Sequence, residues 1–302
     1  MKRSTLIKSC RIHSGMTGIY TLIFLCCLIP NSLKSQISRF REYREKIVQA
    51  ENKILANDLV GAHDLYDIAY KDHGFLMVKD LSNAALCAGI QGKTIEAAQW
   101  MRELLRQGVP KSELEQKAAF ESVWTEAASQ KILNRAEEYT ANGRKYRDPR
   151  YRKSLDSLNI LKTRYLEGDI QSGKAMASGL LAVFNLWGMP GEQITGVEKM
   201  DGTTLYDGII DIITENKAFS KHHAALQKTL LLLLERGCIY PEKAASWIEN
   251  MNQKSKKGFE ISEAVNLSDK QRILYILPPN RRASIIAQYL KENPESEFIL
   301  KW

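Results

Sequence analysis

Asp207 and Asp211 stand four residues apart, a spacing that puts both carboxylates on one face of a helix, with Glu215 one turn further on. His222 and His223 follow after a short connection. Carboxylates and an imidazole that converge can hold a divalent metal or pass protons. This set therefore defines an enzyme reading, a hydrolase or metal-dependent enzyme with its site in residues 155–252. Neighbouring helical residues point about 100° apart, so only one of His222 and His223 can join such a site. The competing reading is a solvated acidic face beside one packed and one exposed histidine. No HExxH spacing and no cysteine pair reinforces a metal. Gly191 and Gly196 have phosphate-loop spacing, but Val197 and Glu198 occupy the places of the lysine and the Ser or Thr that would meet a phosphate. No Gly-x-Ser-x-Gly elbow occurs. The residues give no reason to expect a cofactor.

The elements that must carry any site are helical. Apolar residues recur at threes and fours from Ser38 to Lys71, with a break at Asn57 and Asp58, where the Asp58 side chain can cap the next helix. The pattern predicts one helix pair over 41–56 and 59–71, closed by Gly74, and a second over 79–90 and 95–107, with Thr94 as its internal cap and Gly108 as its stop. The second pair repeats the first at an offset of 35 residues. Ala50 falls on Ala85, Val60 on Ile95, Ala62 on Ala97, Tyr66 on Met101 and Ala69 on Leu104. A hairpin copied at a period in the thirties is the mark of a stacked array, in which each unit hides its apolar face against the next.

These positions resemble tetratricopeptide-type repeats, in which a small residue sits at the waist of the first helix and alanine, an aromatic and alanine recur on the second. Ala50, Ala62, Tyr66 and Ala69 carry the resemblance in the first unit, and Ala85 and Ala97 in the second. It implies that the first helices line a concave side, with Arg44, Lys79 and Asn83 within reach of a protein or peptide partner. The alternative is that these three are ordinary solvated residues.

Lys111 to Asn142 reads as a third, degenerate pair broken near Ser129, and the basic run 143–153 as a linker. A second helical module then occupies 154–302, with helices expected over 155–166, 175–187, 205–215, 221–236, 241–252, 262–276 and 282–291. No stretch shows two-residue alternation, so the expected fold is all-α, stacked antiparallel hairpins followed by that second module. Residues 150–252 also resemble an uncharacterised bacterial domain family with a Gly-Trp-Pro turn and a Gln-His pair. Gly188-Met189-Pro190 with Gly196 stands for the turn, His222 or His223 for the histidine, and Gly237 for a later glycine. That resemblance implies an exported bacterial protein rather than an activity.

Residues 1–35 set the address. Lys2, Arg3, Lys8 and Arg11 precede the apolar run from Gly18 to Pro30, which is shorter than the roughly 20 residues of a spanning helix. The segment reads as an export signal cleaved before Gln36, placing the protein in the periplasm, in the cell envelope or outside the cell. An uncleaved anchor, which would make it a membrane-tethered structural protein, and a lipid on Cys26 or Cys27 are the alternatives. Without this segment the 43 basic residues fall to 38 against 35 acidic ones, a balance of +3. So small an excess leaves no footprint for nucleic acid, and membrane contact is expected only through the first segment. Cys87 and Cys238 remain, too few for a disulfide-built fold; two buried free thiols or a single bridge are both open. The reading is an exported, non-catalytic helical-repeat scaffold of the bacterial envelope.

Overall fold

The computed structural model of the protein describes residues 39–146, 148–187, 191–235, 238–254 and 280–300. The export segment and the helix expected over 262–276 lie outside them. Among the described residues the chain is all-α, without a strand. No helix among them is long and apolar enough to cross a membrane.

Helix α1 spans 39–55. It is followed by α2 (Leu59–His73), α3 (Val78–Ile90) and α4 (Thr94–Gln107). Asp58 caps α2 as expected, accepting the Gly61 N–H at 2.9 Å. Gly74 and Gly108 end α2 and α4 in the left-handed conformation that glycine takes without strain. Thr94 is no cap. It is the first residue of α4, after Lys93, and its hydroxyl reaches Glu126 instead. The small residues at the waist positions are fully buried: Ala50 on α1, Ala62 and Ala69 on α2, Ala85 on α3 and Ala97 on α4. Helix α3 packs between α2 and α4, and all its residues from Val78 to Gly89 are buried.

The expected third pair is more broken than its sequence suggests. Short helices α5 (Lys111–Glu115), α6 (Glu121–Thr125) and α7 (Ala127–Leu133) replace its first arm, with a single 3-10 turn over Ala118–Phe120. Ser129 lies inside α7 rather than at a break. Helix α8 (Ala136–Tyr146) then returns against α4. The approach is close at Gly143, where a β-carbon would lie 1.8 Å from the carbonyl oxygen of Arg106. Backbone cannot yield as a side-chain end can, so Gly143→Ala must push two helices apart. We expect a loss of about 1–3 kcal/mol in urea unfolding; an unchanged midpoint would mean that α8 does not sit on α4 as described.

Within the basic run 143–153, residues 143–146 end α8 and Pro149 begins α9 (Pro149–Leu166), whose cap is Asp148, with its side chain accepting the Arg150 N–H. Helix α10 (Ile170–Trp187) pairs with α9. The glycine-flanked turn hides a short helix, α11 (Glu192–Thr195), absent from the sequence expectation. Helices α12 (Asp207–Glu215), α13 (Ser220–Glu235) and α14 (Pro241–Lys254) pack on one another, and α15 (Asn280–Glu292) leads into the tail. Cys87 and Cys238 are unbridged, and only Cys87 is buried.

The segment after α11 is bound to the front half at several points. The Val197 N–H donates to the Gln107 carbonyl at 3.2 Å, the Met200 N–H to Glu113 at 2.8 Å, and the Ser82 hydroxyl to the Met200 carbonyl at 2.8 Å.

Candidate functional site

The chemistry of the chain is concentrated on α3, which carries Lys79, Asp80, Ser82 and Asn83 into the interior. A helix buried on every side has no solvent face on which to leave such groups, so each must be met by another part of the chain. Lys79 Nζ lies 3.0 Å from a Glu51 carboxylate oxygen, with the two side chains 1% and 2% exposed. The Tyr43 hydroxyl donates to Asp80 at 2.5 Å and accepts the Met77 N–H at 2.9 Å.

The amino end of α3 is capped from far downstream. Met77 precedes the helix and has no oxygen with which to cap it. Instead the Val78 N–H donates to Glu192 at 2.8 Å and the Lys79 N–H to the Tyr240 hydroxyl at 3.0 Å. Arg44 on α1 completes the junction, with its Nη2 2.5 Å from Glu242 at the start of α14. Two buried cations, Arg44 and Lys79, thus meet three buried carboxyl groups, Glu51, Asp80 and Glu192, and the half-buried Glu242.

That imbalance is resolved by protons. Burial, reinforced by the charges of Asp80 and Asp207, pushes Glu192 up to about 8, although the Val78 N–H and Lys243 work the other way. Burial also raises Asp80 to about 6, against the pull of Lys79 and Arg44. Burial disfavours the Arg44 charge, yet Glu242, Asp80 and Glu51 together hold its pKa above the ordinary value. Burial thus favours the protonated form of Glu192 at neutral pH. Arg44 Nε and Nη1 and Asp80 Oδ1 are buried with no hydrogen-bond partner among the described residues.

The three residues expected to face a partner are thereby placed elsewhere. Arg44, Lys79 and Asn83 do lie on α1 and α3, but they are buried, and this chain itself supplies what they hold. Asn83 binds the main chain of Ile299 through both ends of its amide, giving an N–H to the carbonyl at 2.9 Å and accepting the amide at 2.8 Å. The reason is the packing of the downstream half against α1 and α3, which turns a solvent-facing surface into an interior one.

The carboxylate and histidine set is divided. Asp207 and Asp211 share a face of α12 as expected, and that face meets α14. Asp207 accepts the Thr204 N–H at 2.8 Å, the Thr204 hydroxyl at 2.7 Å and the Lys243 ammonium. Asp211 accepts the indole N–H of Trp247 at 2.6 Å. His223 is buried with Nε2 2.9 Å from the Ile213 carbonyl, whereas His222 is half-buried and Glu215 exposed. Each aspartate is committed to α14 or to the loop before α12, and His223 to the backbone. Among the described residues no three His, Cys, Asp or Glu side chains are grouped to hold a metal.

Glu51, Tyr43, Glu192, Tyr240 and Glu242 escaped the sequence reading. The sequence carried no signal for them: Lys79, Asp80, Ser82 and Asn83 fall within one half of α3 by their spacing, as the polar residues of a surface helix would. Which partners could not be read, since Glu192 and Glu242 lie in different helices and carry no local pattern. Comparison of the chain with protein-family models, with curated proteins and with solved structures finds no match.

Proposed function

We propose that the protein is a non-catalytic helical scaffold of the bacterial envelope, exported through its first 35 residues. Its front half stacks tetratricopeptide-like hairpins, and a second module follows. The observation that supports this most is the commitment of the polar groups. Arg44, Lys79, Asp80, Asn83, Glu192, Asp207 and Asp211 each hold another segment of this chain. Polar groups that join segments in this way make a rigid body for a protein partner to dock on, and they are not free to turn over a substrate.

The test is cross-linking in the native bacterium, followed by fractionation and amino-terminal sequencing. We expect the chain in the envelope fraction, beginning at Gln36 and joined to a defined protein. A double variant, Asp211→Asn with His222→Ala, should recover that protein in equal yield. A cytosolic chain would overturn export, and a retained first segment would make the protein membrane-tethered. A double variant that folds, keeps its partner and abolishes the function of the wild type would return the site to catalysis.

A further inference from the structure

His63 stands between two sets of partners that it cannot serve at once. It lies on α2, only 7% exposed, and faces α4. The Trp100 indole N–H donates to its Nε2 at 3.3 Å, and a Glu96 carboxylate oxygen lies 3.4 Å from the same nitrogen. A ring nitrogen accepts a hydrogen bond only when it carries no proton and donates one only when it does. Nε2 can therefore accept from Trp100 or donate to Glu96, never both. The other nitrogen extends the contrast. With Nε2 accepting, the single proton of the neutral ring sits on Nδ1, which is buried with no hydrogen-bond partner among the described residues. An Asp64 carboxylate oxygen is 3.9 Å from it. The doubly protonated ring instead has a carboxylate beside each nitrogen, Asp64 at Nδ1 and Glu96 at Nε2.

Charges on three stretches of chain act on the ring. Asp64 and Asp67 belong to its own helix, Glu96 to α4, and Lys93 to the turn before α4. Burial, followed by Lys93, lowers the pKa of His63 below the ordinary value of 6.5, and the three carboxylates oppose that shift. The neutral ring is thus the form held at pH 7, while Glu96, with 49% of its side chain exposed, can turn towards Nε2 once a proton arrives.

We propose that His63 is a proton-operated latch between α2 and α4: neutral, it is tied to Trp100, and protonated at Nε2, it is tied to Glu96. The proton comes from solvent and stays on Nε2, and the Trp100 indole keeps its own proton but loses the acceptor for it. Trp100 is 8% exposed and also meets the Tyr70 ring of α2 at right angles, with 5.2 Å between ring centres. Release of the indole therefore disturbs the contact between the two hairpins, and mild acid is the signal that the latch reads. This goes beyond the scaffold reading and does not depend on export.

Nuclear magnetic resonance of the full chain, with isotope-labelled tryptophan and histidine, tests it from about pH 8 down to the onset of acid unfolding. Trp100→Phe identifies the Trp100 indole signal and His63→Gln the His63 ring signal. In the wild type both should move with a single midpoint below pH 6.5, the indole proton shifting upfield as its hydrogen bond is lost. In His63→Gln the Trp100 signal should stay fixed over that range, because glutamine offers an acceptor oxygen that does not titrate. In Glu96→Gln the midpoint should move to lower pH, since the charged ring loses its counter-charge. A His63 that titrates while the Trp100 signal stands still overturns the proposal. So does a His63 that takes up no proton before the chain unfolds, and so does an unchanged midpoint in Glu96→Gln. Circular dichroism confirms that each variant is folded. Should His63→Gln fail that check, the midpoints of the Trp100 signal in the wild type and in Glu96→Gln decide: a shift to lower pH in the variant supports the latch, and equal midpoints or a signal that never moves overturn it.

Discussion

Lys79→Met is expected to lower the free energy of unfolding by about 3–5 kcal/mol, the cost of leaving a buried charge without its counter-ion. The Glu51 carboxylate sits 3.0 Å from the Lys79 ammonium with only 2% of its side chain exposed, so water cannot take over when the ammonium is removed. Methionine matches the length of the lost side chain, which keeps cavity formation out of the comparison. The partner change decides the cause. Removing both charges, as Lys79→Met with Glu51→Leu, should recover most of the loss, because an apolar pair of similar volume does without the desolvation that the ion pair suffers. Urea unfolding followed by circular dichroism measures both. A single substitution costing less than about 1 kcal/mol would show the pair to be hydrated and the junction to be open.

Glu192→Gln should change the pH profile more than it changes stability at acid pH. The folded carboxyl titrates near 8, against an ordinary value of 4.5, so between those values the folded chain keeps a proton that the unfolded chain has released. The stabilisation from this group is complete below the lower value and fades as pH rises towards the upper one. Glutamine is neutral throughout, and its carbonyl can still accept the Val78 N–H. Wild-type unfolding free energy should therefore fall between about pH 5 and 8, while the variant falls less and is the more stable of the two at pH 9 by an amount on the order of 2–4 kcal/mol. Asp80, raised to about 6, contributes a decline of the same sign at lower pH in both proteins. Parallel profiles would mean that Glu192 is solvated and ionised.

How much of this was legible depends on where the governing contact lies. Asp58, Gly74 and Gly108 were readable because a cap is decided within four residues. Ala62, Tyr66, Ala69 and Ala97 were readable as interior positions because their spacing on a helix already places them on its apolar side. The short helices from Lys111 to Leu133 were not, since a five-residue element presents barely one turn of any period. Asp207 and Asp211 were rightly placed on a common face, but a helix pattern does not say what lies opposite, and here it is Lys243 and Trp247. Arg44 and Lys79 are expected to face a partner because the resemblance to tetratricopeptide repeats puts first-helix residues on a concave side, whereas here they are buried. Their partners, Glu242 and Glu51, belong to contacts that no local rule reaches.

The remote caps of α3 also bear on how the chain comes to be finished. A polypeptide is made from its amino end, so α3 appears before Glu192 and long before Tyr240. Until Glu192, and then Tyr240 and Glu242, have been added, the Val78 and Lys79 N–H groups and the Arg44 guanidinium lack the partners that hold them in the finished chain. Such distant pairing is the slow kind in folding, and during synthesis the front half is an unsealed intermediate whose exposed interior is what a holding chaperone grasps. Maturation of this molecule thus waits on its last third, and any premature stop upstream of α14 yields a client for proteolysis in place of a shorter working protein.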